Sequence, residues 1–196
     1  VAAITALQAV RDKGSVRPGQ NVLVNGASGG VGTFAVQIAK AYGAEVTGVS
    51  STRNVDLVRS IGADHVIDYK QADFTRGTER YDVIIDNVGN HSLLALRRVL
   101  EPEGVVVMIG GSGNDQWIGP LLRPIGAAVL SPFVSQRFAG LLAELNPEDL
   151  RELGDLLAAG KMNSVIDQRY PLRDVPAAIA YLEEGRARGK VVIDVQ

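Results

Sequence analysis

The chain has 196 residues, 46% of them hydrophobic, which is enough for one core-bearing domain, with or without an appendage, and too apolar for disorder. A formal charge of −2 gives no basic footprint for nucleic acid or an anionic membrane surface. No apolar run reaches the roughly 18 residues of a membrane-spanning helix and no signal-peptide pattern opens the chain; the absence of cysteine excludes disulfides and thiolate metal or redox centres and fits the cytoplasm.

Residues 1–10 (VAAITALQAV) read as a helix already under way behind a non-methionine start, so a longer polypeptide is expected. Pro18-Gly19 turns the chain into a strand at 21–25 (NVLVN). A helix follows with Val31, Phe34, Ala35, Ile38, Ala39 and Tyr42 at helical spacing on one face, and Gly43 is its expected C-cap. A strand at 45–50 leads to a helix at 54–61 closed by Gly62, then to strands at 65–69, 82–86 and 104–110, with a sixth at 126–133 (GAAVLSPF). The strands are nearly continuous apolar runs, as expected where helices cover both faces of a parallel sheet.

The tail reads differently. A helix at 147–160, an extended segment at 164–170, a helix at 174–184 with Asp174 as N-cap and Val175, Ile179 and Leu182 facing one way, and a strand at 189–195 come after the sheet is complete. They need another surface to pack on. The chain therefore divides into 1–145 and a C-terminal segment, 146–196.

Residues 25–32 (NGASGGVG) lie between the first strand and its helix. Gly29 would let the backbone approach a pyrophosphate, Gly32 would let the helix pack close to the strand, and the amides and dipole at the helix start attract phosphate. The placement predicts a dinucleotide-binding turn on a doubly wound, six-stranded parallel Rossmann sheet, although Ala27 replaces the first glycine of the usual fingerprint. Gly26-Ala27-Ser28-Gly29-Gly30 also fits a nucleophile elbow, but the only histidines, His65 and His91, come too early for that triad order. The glycine spacing would suit a short-chain dehydrogenase, but no tyrosine is followed by lysine four places on. A methyltransferase would want an acid at the end of the second strand, and none is there; a Walker A loop is absent as well.

With TALQAV (5–10), GASGGVG (26–32), SSTRN (50–54), IGADHVIDY (61–69), DNVG (86–89) and RGKVVI (188–193), the chain resembles the cofactor-binding half of a medium-chain dehydrogenase/reductase of the zinc-free, quinone-oxidoreductase-like branch. The resemblance implies an N-terminal catalytic domain that the C-terminal segment completes, and it implies hydride transfer between NADPH and a quinone or carbonyl-conjugated small molecule. A non-catalytic NADPH-binding or sensor module is the alternative. Cofactor contacts are expected from Ser28, Gly29, Gly30 and Val31 at the glycine turn, and from Ser50, Ser51, Thr52 and Arg53 after the second strand. Tyr69 would close the same 2′-phosphate pocket, with Asn87 and Val88 beside a ribose and Ile109, Gly110, Gly111, Phe133 and Val134 bordering the nicotinamide. The hydroxyls and guanidinium after the second strand suit a 2′-phosphate. Asp86 is expected to be a turn residue, His91 to help start the next helix, and His65 to lie on the surface. No metal is expected, and no catalytic residue can be mapped. Family members resemble one another in pairing through the sixth-strand edge, which implies a homodimer through 118–134.

Overall fold

The computed structural model describes residues 1–109, 135–185 and 187–195. β1 (Asn21–Asn25) runs through the middle of a parallel sheet, between β2 (Glu45–Ser50) and β4 (Tyr81–Asp86). β3 (His65–Asp68) lies outside β2, and β5 (Leu100–Met108) then β6 (Arg137–Gly140) lie outside β4, giving the six-stranded order β3-β2-β1-β4-β5-β6. The register aligns Asn25 with Val49 and with Asp86, so three loops leave the sheet at one edge. The switch in strand direction of travel falls between β1 and β4, where open α/β sheets bind ligands.

The strands bury alternate residues on opposite faces. Val22, Val24, Val83, Ile85, Val105 and Val107 join one apolar cluster. Leu23, Ile84 and Val106 join the other, with Phe74, Leu93 and Leu96. Two-sided burial is why these strands read as unbroken apolar runs rather than as alternating ones. Above the first face, α2 (Gly32–Ala41) is buried from Gly32 through Ala39. A single apolar stripe was expected; α1 (Ala2–Gln8), which continues as a π-helical turn over Ala9–Lys13, covers a second side of α2. The buried Gln37 on α2 donates to Thr33 O and Asn163 O and accepts from Asn163 N at 2.9 Å.

The sixth strand differs from expectation. The sheet position beside β5 is held by Arg137–Gly140, paired from Val105–Arg137 to Met108–Gly140. The expected strand at 126–133, and the segment 118–134 expected to pair two copies, lie outside the described residues. α3 (Val55–Ser60) follows a 3₁₀ turn at Thr52–Asn54. α4 (Leu93–Arg98) is capped by Ser92, whose hydroxyl accepts from Ala95 N, so Ser92 and not His91 starts it. His91 packs edge-on against Phe74, and His65 is exposed beside Glu45.

The tail forms α5 (Pro147–Ala158), β7 (Ile166–Pro171), α6 (Val175–Glu183) and β8 (Lys190–Asp194), with β7 and β8 paired in a separate parallel sheet. α5 is tied to α1 and its π turn. The buried Asp149 accepts from Gln8 Nε2 and Arg11 Nη2, both at 2.6 Å, and Arg11 also reaches Glu152. Burial alone would raise the Asp149 carboxyl, but bonds from Gln8, Arg11 and Asn146 outweigh it and hold the group below the usual range. α6 is looser. Its expected cap, Asp174, makes no side-chain cap bond because a 3₁₀ turn at Leu172–Asp174 leads into the helix. Its apolar stripe stays half-exposed, with Ile179 at 51% and Leu182 at 49%.

Candidate functional site

At the end of β1 the chain turns through Gly26, whose φ of +80° favours glycine, and enters α2 at Gly32. A Cβ on Gly32 would stand 2.1 Å from Gly26 O, so only glycine lets the helix come this close to the strand. Gly29 N donates to Gly26 O and Thr33 N to Gly29 O, while Ala27 N donates to Val49 O of β2. Among the described residues the amides of Gly30 and Val31 have no backbone acceptor. With the helix start behind them they form a positive, donor-rich cradle suited to phosphate oxygens.

Beside it, Asp86 ends β4 fully buried. Its Oδ1 accepts from Gly89 N at 2.9 Å, Val88 N at 3.3 Å and Asn25 Nδ2 at 2.9 Å. Asp86 thus folds the Asn87-Val88-Gly89 turn onto Asn25, as expected of a turn residue. Asn87 donates from its side chain to Asn25 O, while Asn87 Oδ1 is buried without a partner.

These turns wall a cavity of about 880 Å³. It gathers Ser28, Gly29, Gly30 and Val31 from the glycine turn, Ser50, Ser51 and Arg53 from beyond β2, Tyr69 from beyond β3, and Asn87, Val88 and Ile109 from beyond β4 and β5. Thr52 is not among the lining residues; its hydroxyl donates to Asp68 at 2.6 Å. Gly110, Gly111, Phe133 and Val134 lie outside the described residues.

Several lining groups escaped the sequence reading. Lys70, next in the chain to Tyr69 and 5.2 Å from its ring centroid, adds a second cation to the wall of the cavity. Asn54 and Asn90 line the wall as well, and so do Gly185 and Ala187 from the tail. The tail is clamped to the glycine turn, since Gly189 N donates to Ser28 O at 2.9 Å. Lys190 Nζ stands 2.9 Å from where a Cβ on Gly30 would be, although Lys190 is not among the residues lining the cavity. Burial there pushes the Lys190 ammonium below the usual lysine range. The signal for Lys190 was present in the RGKVVI segment, but nothing local said that this strand folds back onto the first turn.

Among the described residues no group of His, Cys, Asp and Glu is arranged to hold a metal ion, and no helix is long and apolar enough to cross a membrane. Sheet order, glycine turn and cavity together define a Rossmann-type nucleotide-binding domain. The zinc-binding dehydrogenase family matches residues 61–193, and the chain belongs to that family, within the medium-chain dehydrogenases/reductases. It is similar to a trans-enoyl reductase of Aspergillus terreus, 34% identical over 98% of this chain and 56% of that protein. A mitochondrial NAD(P)H oxidoreductase of Homo sapiens is 36% identical over 98% of this chain and 53% of its own length. The solved quinone oxidoreductase of Coxiella burnetii superposes on all of this chain and 59% of that one, at a TM-score of 0.85 and 30% identity. The chain thus spans little more than half the length of these relatives.

Proposed function

We propose that this chain binds NADPH and forms the cofactor-holding part of an oxidoreductase that passes a hydride to a quinone or carbonyl-conjugated substrate. The observation that carries the cofactor choice is the wall beyond β2. It presents Ser50, Ser51 and Arg53, faced by Tyr69 and Lys70, and no carboxylate among the described residues lines the cavity. An NAD-selective site places an acid there to accept the ribose 2′-hydroxyl, and that acid would repel a 2′-phosphate. A guanidinium instead binds phosphate through paired, charge-assisted bonds.

The remaining residues fit a dinucleotide. The cavity lies within the roughly 300–1,000 Å³ of small-molecule sites. The Gly30 and Val31 amides would hold the pyrophosphate, with the Lys190 charge beside Gly30, and the orphaned Asn87 Oδ1 would accept from a ribose hydroxyl. The nicotinamide supplies the hydride; the chain binds, orients and excludes water. The substrate class is supported by the relatives named as quinone oxidoreductase and trans-enoyl reductase. Those proteins are longer, so the present chain is expected to bind cofactor and turn over little by itself.

Titration calorimetry with NADPH and NADH tests the reading. Arg53→Ala should weaken NADPH binding roughly tenfold to a hundredfold, the size of a charge-assisted hydrogen bond, and leave NADH nearly unchanged. Lys190→Met should weaken both equally, because both carry the pyrophosphate. Equal losses in Arg53→Ala, or tighter NADH binding by the unmutated chain, would overturn the NADPH assignment.

A further inference from the structure

Asn54 occupies the N-cap of α3, where an asparagine side chain ordinarily accepts a hydrogen bond from a first-turn amide. It makes no such bond, because the 3₁₀ turn at Thr52–Asn54 leads into the helix, as at Asp174. Its Nδ2 donates instead to Ser28 Oγ at 2.9 Å, across the mouth of the glycine turn. The residue is 6% exposed, and its Oδ1 has neither solvent nor a partner. A buried carbonyl oxygen left this way costs desolvation free energy that a hydrogen bond would normally offset. A polar atom is therefore left unmatched at a residue lining the cavity beside Ser28, Ser51 and Arg53.

Resting on the nucleotide reading above, we infer that Asn54 is a positioning and binding residue of this site. A hydroxyl that accepts from an amide keeps its single proton to donate, so Asn54 holds Ser28 with that proton turned to a phosphate oxygen. The space between the phosphate cradle and the Ser51–Arg53 corner belongs to the adenosine ribose. There Asn54 Oδ1 takes the hydrogen bond of the 3′-hydroxyl. That hydroxyl is common to NADPH and NADH, so Asn54 serves both, whereas Arg53 discriminates between them.

The substitution Asn54→Asp separates this role from a structural one. Aspartate has nearly the same shape, so the ligand-free chain should keep its fold, which circular dichroism checks. The carboxylate would accept the Ser28 proton and place negative charge beside the phosphates. Kd for NADPH and for NADH should then both rise by roughly tenfold or more. In Asn54→Ala, Ser28→Ala and the double variant, the double should lose less than the product of the single fold-losses, because the two residues act as a unit. Asn54→Asp binding both nucleotides like the unmutated chain, or single losses that multiply fully, would overturn the assignment of Asn54 and leave the nucleotide reading standing. An unmutated chain that binds neither nucleotide would overturn both.

Discussion

β1 and β8 are each five residues long, valine-bearing and parallel to their neighbours, yet they live in different surroundings. β1 has a strand on each side and an apolar cluster on each face, and four of its residues are buried. Among the described residues β8 pairs only with β7, and none of its own residues is buried. The same contrast holds for helices. α2 is covered on almost every side, whereas α6 buries Ala178 alone and leaves its larger apolar residues half in water. An apolar pattern states what a segment can bury; the burial itself depends on what stands opposite. The two halves should therefore answer mutation differently.

The largest expected effect breaks the sheet side of the contrast. Gly32→Val would drive a branched side chain into Gly26 O and should cost about 3 kcal/mol or more in urea unfolding, with cofactor binding lost. A stable, nucleotide-binding Gly32→Val chain would refute the close helix–strand approach.

Acid should act next, at the joint between the halves. The Asp149 carboxyl titrates below its unfolded value, so the stability it contributes is full above about pH 4 and is lost as pH falls through the folded pKa. Hydrogen exchange should show α5 amides opening before those of β1 as pH drops. Asp149→Asn should lower stability by about 2 kcal/mol at neutral pH and flatten that acid dependence. An unchanged acid profile in this variant would assign the joint to other groups.

The smallest effect belongs to the outer tail. Ile179→Ser removes a half-exposed side chain and should change unfolding free energy by less than about 0.5 kcal/mol. A loss of 2 kcal/mol or more would show that α6 is packed in solution as tightly as α2.

Much of this arrangement is legible in the residues. Strands 21–25 and 45–50 match β1 and β2 because Gln20, Gly43 and Ala44 flank them with turns and both faces are apolar. The glycine turn announces itself because its backbone demands are local: a left-handed Gly26 and a helix start that admits no Cβ at Gly32. What eluded the sequence depends on distant partners. Thr52 carries the right hydroxyl, but Asp68, on a strand that arrives later, takes its proton. Lys190 falls in the last expected strand, and nothing local shows that strand clamped to Ser28. Asn54 opens the helix expected at 54–61, and only the fold shows its bond to Ser28.

The bond from Gly189 to Ser28 also sets an order of events during synthesis. All six strands of the larger sheet, and the cradle of Gly30 and Val31, have been synthesised by the time the chain reaches Gly140. Lys190, the cation beside Gly30, is made some fifty residues later. A nascent chain thus passes through a stage in which the glycine turn exists and the Lys190 charge beside it does not.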